Sequence, residues 1–89
     1  MGKSITPKYR ARYRDQKGWH DIMWKGRPSD ARAEQTRKDY NKSFQPGGAN
    51  WRVSELSGYV PHISKFEVIR NVYGGEVVAS ATAPMFEIV

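Results

Sequence analysis

Four cations, Lys8, Arg10, Arg12 and Arg14, alternate with Tyr9, Ala11 and Tyr13, and Trp19, Lys25 and Arg27 follow shortly after. Guanidinium and ammonium groups attract phosphate and carboxylate, and guanidinium does so with two parallel hydrogen bonds. An exposed indole beside such a row offers a face on which an unpaired base stacks, a gain of roughly 1 to 3 kcal/mol. Lys8, Arg10, Arg12, Arg14, Lys25 and Arg27 are therefore candidate phosphate contacts, with Trp19 as the stacking platform. Together they predict a module that binds DNA or RNA with little sequence specificity. Arg, Trp, Tyr and Met also anchor protein interfaces. Docking on an acidic protein surface, as an inhibitor or phage-type accessory protein would do, is the alternative expectation. The plainest account of Trp19 needs no partner at all: a cross-strand contact with Arg14, worth about 0.5 to 1 kcal/mol when exposed.

The elements that position these groups follow from the same residues. Strict alternation from Lys8 to Arg14 is the two-residue period of a strand. Asp15-Gln16-Lys17-Gly18 carries turn chemistry, with Asp first and Gly last, and Trp19 to Lys25 returns as a second strand. Pairing Arg14 with Trp19 sets Tyr13 by His20, Arg12 by Asp21, Ala11 by Ile22 and Tyr9 by Trp24. That register gathers the apolar side chains on one face and leaves the cations on the other, around Trp19, Met23 and Asp21. Neighbouring cations about 6.7 Å apart on a strand face repel by at most roughly 0.6 kcal/mol per pair in water, so the fold tolerates the row.

Beyond Gly26-Arg27-Pro28, Ser29 or Asp30 can cap a helix running to about Phe44, with acids early and lysines late, as the helix dipole favours. Its apolar stripe is thin, Ala33, Thr36 or Arg37, Tyr40 and Phe44, and suits a one-sided cover on a sheet. Gln45-Pro46-Gly47-Gly48 ends it. Asn50 to Ser57 reads as a short, imperfect strand with Trp51, Val53 and Leu56. Lys65 to Tyr73 and Glu76 to Ala83 read as a hairpin closed by Gly74-Gly75. Pairing Tyr73 with Glu76 places Phe66, Val68, Val72, Val77, Ala79, Ala81 and Ala83 in the core, and puts Arg70 awkwardly on the same side. Met85 to Val89 reads as a docked terminus. The fold class is α+β: an antiparallel sheet of about five strands in ββαβββ order, with one helix on one face.

With 89 residues the chain suits one small domain, 1–89, with 1–7 expected as a flexible tail. The net charge of +6 is uneven: residues 1–45 hold twelve Lys or Arg against five Asp or Glu, and the remainder holds three against four. Such asymmetry points to a polyanion or an acidic partner. With no cysteine, disulfides and thiolate metal sites are excluded, and a reducing, cytoplasmic setting fits. Two histidines, His20 and His62, lack zinc spacing, so no metal and no cofactor are expected. Gly2-Lys3-Ser4 lacks the rest of a phosphate-binding loop, and the myristoylation pattern of residues 1–6 is too short to weigh. Neither a nucleophile elbow nor paired carboxylates occur, and the chain reads as no enzyme. No apolar run approaches a membrane span.

Overall fold

Residues 8–70 and 75–83 are described in the computed structural model. The alternating first segment forms β1, Tyr9–Asp15, and doubles back through Gln16-Lys17 into β2, Gly18–Met23. Pairing follows the hydrophobic argument: Arg14 opposite Trp19, Tyr13 opposite His20, Arg12 opposite Asp21 and Ala11 opposite Ile22. The loop is two residues long because Asp15 and Gly18 also pair, with Gly18 taking a φ of +116° that side-chain-bearing residues resist.

Helix α1, Asp30–Ser43, starts where Ser29 Oγ accepts the Arg32 N–H at 3.2 Å. Asp30 then ties the helix start to the sheet by accepting the Ser80 N–H at 3.0 Å. Its buried stripe is more polar than the sequence suggests. Ala33, Arg37 and Asn41 lie inward at four-residue spacing. Arg37 Nη1 donates to the Ile63 carbonyl at 3.2 Å, and Asn41 Oδ1 accepts the Ile63 N–H at 3.0 Å. One turn of helix thereby satisfies both backbone groups of a buried loop residue.

The segment expected as a strand over Asn50–Ser57 is instead a second helix, α2, Trp51–Ser57. Its seat explains the difference. Asn50 N–H donates to the Ser43 carbonyl at 2.8 Å and Ser54 Oγ to the Phe44 carbonyl at 2.9 Å, so open carbonyls at the end of α1 organise the next turn. Gly58 closes α2 with a φ of 70°.

Strands β3, Lys65–Arg70, and β4, Glu76–Thr82, complete a four-stranded antiparallel sheet in the order β2-β1-β3-β4. The element order is ββααββ, with four strands where about five were expected. Phe66 pairs with Ala81 and Val68 with Ala79, all on the core face. A register shift between Val68 and Ile69 then turns Val77 outward, opposite Ile69, whereas the sequence reading put Val77 in the core. Val78 packs against the core in its place. Arg70 pairs with Glu76 at the strand end, its guanidinium exposed and 3.7 Å from the carboxylate. This accounts for its awkward side. The expected Tyr73–Glu76 pairing, the core place of Val72, the tail at 1–7 and the docked terminus fall outside the described residues.

The core lies between the sheet and α1. Ala11, Tyr13, Trp24, Phe66, Val68, Ala79 and Ala81 meet Ala33, Phe44 and Ile63, with Tyr13 stacked on Tyr40 at 5.6 Å. Each large apolar side chain buried here contributes roughly 1.5 to 3 kcal/mol. Small alanines on β4 let α1 lie close.

Candidate nucleic-acid interface

The sheet face turned away from the helices is ordered by pairing into three rows of four residues. One row runs Trp19, Arg14, Lys65, Thr82; the next Asp21, Arg12, Glu67, Ser80; the third Met23, Arg10, Ile69, Val77. Arg10, Arg14, Trp19, Asp21, Met23, Val77, Ser80 and Thr82 are exposed. Six of the seven expected residues thus lie on this face or continue past it: Arg10, Arg12, Arg14 and Trp19 in the rows, Lys8 just before β1 and Lys25 just beyond β2. Lys8, Lys25 and Arg27 line, with Tyr9, Met23, Trp24 and Pro28, a groove of about 1010 Å³ at one end of the sheet.

The cations are not equivalent. Arg12 is largely answered from within: its Nε and Nη2 donate to Glu67 Oε1 at 3.0 and 2.8 Å, and its guanidinium lies 4.2 Å from the Trp19 ring centre. The cation against Trp19 is therefore the diagonal neighbour Arg12, not Arg14. Arg12 fixes the indole and covers part of one ring face, leaving Trp19 40% exposed. Its charge is spent on Glu67, so it is a positioning residue for Trp19 more than a contact for an outside anion. Arg10 meets Asp21 only at 3.9 Å, with both side chains well exposed, a pairing worth little in water. Lys8, Arg14, Lys25 and Arg27 have no carboxylate partner among the described residues.

Lys65 and Glu67 were missed by sequence reasoning. Both enter the face only because β3 pairs with β1, more than fifty positions away in sequence, and nothing local signals that pairing. Lys65 stands beside Arg14, its Nζ 3.6 Å from Glu67 Oε2.

At the other end, the β1–β2 turn is clasped by the loop after α2. Gln16 Nε2 donates to the Val60 carbonyl and Gln16 Oε1 accepts the His62 N–H at 2.8 Å. Asp15 Oδ1 accepts the Lys17 N–H at 2.8 Å and lies 3.0 Å from His20 Nε2. Burial opposes ionisation of Asp15, but bonds from Tyr59, His20 and the Lys17 N–H outweigh it and hold the carboxyl below its ordinary range. Burial and the same carboxylate push the Tyr59 hydroxyl up to about 12. A cavity of about 430 Å³ opens there between Tyr13, Phe44, Val53 and Pro61. Its polar groups bond mainly to one another, as the groups of a joint do.

Among the described residues no group of His, Asp and Glu is placed to hold a metal ion, and no helix is long and apolar enough to cross a membrane. Comparison with known protein families, with curated proteins and with solved structures finds no match.

Proposed function

We propose that the protein is a small non-catalytic binding module of the cytoplasm that holds nucleic acid on the open face of its sheet, with little sequence specificity. One observation carries this reading: Arg14 beside the exposed Trp19, then Arg10, then the groove cations Lys8, Lys25 and Arg27 follow one another along β1 and β2 on one sheet face whose described residues are mostly exposed, while α1 packs on the opposite face. Guanidinium and ammonium groups bind phosphates irrespective of sequence, and a lone tryptophan stacks on any base. Low specificity follows.

A binding titration against salt tests it. With about four to five phosphates neutralised, log K should fall against log salt with a slope of roughly −3 to −4. Arg14→Glu/Lys25→Glu should lose at least about tenfold, two exposed contacts reversed in sign. These positions serve better than Arg12, whose reversal would face Glu67 and unsettle the sheet. Wild-type protein that binds neither DNA nor RNA at low salt rules the reading out.

A second reading is favoured by Met23 at 72% and Val77 at 44% exposure on the same face: an acidic protein partner with an apolar centre. Recovery of one stoichiometric partner, whose binding Met23→Asp abolishes while nucleic acid binds weakly, would select it.

A further inference from the structure

Resting on the nucleic-acid reading, we infer that the strand held on this face is single and unstacked, laid along β1 from Trp19 and Arg14 to the groove of Lys8, Lys25 and Arg27. Three features of the face lead there.

The first is access. Strand β1 is hydrogen-bonded on both sides, to β2 and to β3, so the basic hairpin is no free ribbon. Four strands at about 4.8 Å spacing span about 14 Å between the outer backbones before side chains are added, more than the roughly 12 Å of a major groove. A duplex can touch this face only with its outer phosphates.

The second is spacing. Alternate residues of a strand recur about every 6.7 Å. That is twice the roughly 3.4 Å rise between phosphates of one strand in a duplex, and it matches a backbone pulled out until its bases part. From Arg14 to Lys8 the row covers about 20 Å, room for about three such steps, and the groove beyond accommodates another one or two nucleotides.

The third is the apolar content. Trp19, Met23 and Val77 are exposed on the same face, and the groove is lined by Tyr9, Met23 and Pro28 together with its three cations, while Trp24 at its edge is buried and capped by Arg32 at 4.4 Å. A duplex buries its base faces against one another and offers these side chains nothing. An unpaired strand offers bases to the exposed ones while its phosphates reach the cations. The middle of the row suits this too, because Arg12 is answered by Glu67 and a neutral step there favours base contact over phosphate.

The experiment uses the full chain with labelled oligothymidylates of about three to fifteen nucleotides, and the duplex of the longest with its complement, all at low salt. The single strand should bind at least tenfold tighter than the duplex, and affinity should rise with length up to about four to six nucleotides and then level off. Lys25→Glu/Arg27→Glu, two exposed side chains whose change leaves the core untouched, should weaken the longer oligonucleotides about tenfold yet barely affect the three-nucleotide one. Equal or tighter duplex binding overturns this inference and leaves the broader reading standing. Unchanged binding at every length removes the groove from the track, and loss at every length alike, the three-nucleotide oligomer included, overturns the order that starts at Trp19 and Arg14. Absence of binding to either form overturns the broader reading itself.

Discussion

Replacing Glu67 by Gln should weaken the fold and, on the proposed function, tighten binding of nucleic acid, two effects of opposite benefit from one atom pair. The Glu67 side chain is 10% exposed, takes two charge-assisted bonds from Arg12 and lies 3.6 Å from Lys65. Such bonds contribute about 1.5 to 3 kcal/mol when sheltered. Arg12 and Lys65 are a third or more exposed, so water screens them, and the Gln carbonyl retains an acceptor for Arg12. The net loss is then about 1 to 2 kcal/mol, which lowers Tm by about 5 to 15 °C in a domain of this size. The same change leaves one more cation unanswered on the open face. Affinity for a single strand should rise about two- to fivefold, the worth of one exposed ion pair, and the salt slope should steepen by about 0.7. Thermal melts by circular dichroism and anisotropy titrations, both well below the variant's Tm, read the two effects separately. A variant that melts like wild type denies the embedded pair. One that folds but binds more weakly denies that the open face is the contact surface.

Other outcomes follow from the same structure. Because Asp15 is held below the ordinary carboxyl range, the unfolded chain takes up its proton first as pH falls. Its stabilising contribution is complete above about pH 4 and vanishes as pH drops through the folded value. Melts between pH 7 and 2 should show wild type losing Tm below pH 4 more steeply than Asp15→Asn, with parallel curves counting against the bonded carboxylate. Ala79→Leu, at a site 3% exposed beneath α1, should cost about 1 to 3 kcal/mol by overpacking, seen in urea unfolding as a lower midpoint at similar slope. Gly58→Ala should cost about 1 to 2 kcal/mol for a purely backbone reason, since the added methyl meets nothing within 4 Å while φ stays at +70°. Gly58→Asn should recover part of that loss.

The register of the first hairpin from Ala11 to Arg14 was legible in the sequence, because only one register brings Tyr9, Ala11, Tyr13, Ile22 and Trp24 to a common side; β2 ends at Met23, short of the expected Lys25 and of a Tyr9–Trp24 pair. Helix α1 was legible from Pro28, Ser29 and the charge order along it. What escaped depended on distant partners. Residues 51–57 carry Trp, Val and Leu at spacings that suit a strand or a helix equally, and contacts to the end of α1 decide between them. The shift at Val68/Ile69 has no local mark, and it reversed Val77. For the surface, alternation revealed the positive row but not the acid that faces its centre, since Glu67 arrives on a strand whose neighbour cannot be inferred from its own residues.

The seam between β1 and β3 joins two hairpins that are each local in sequence, and it closes a loop of about fifty residues. Closing such a loop forfeits chain entropy on the order of 3 to 4 kcal/mol before any pairing is gained, so the hairpins are expected to form early and zip together late. Arg14 and Lys65 face each other across that seam. On the proposed function, a polyanion bridging them would act as a staple that is useful only once the halves have met, and by mass action it would raise the melting temperature of the whole domain.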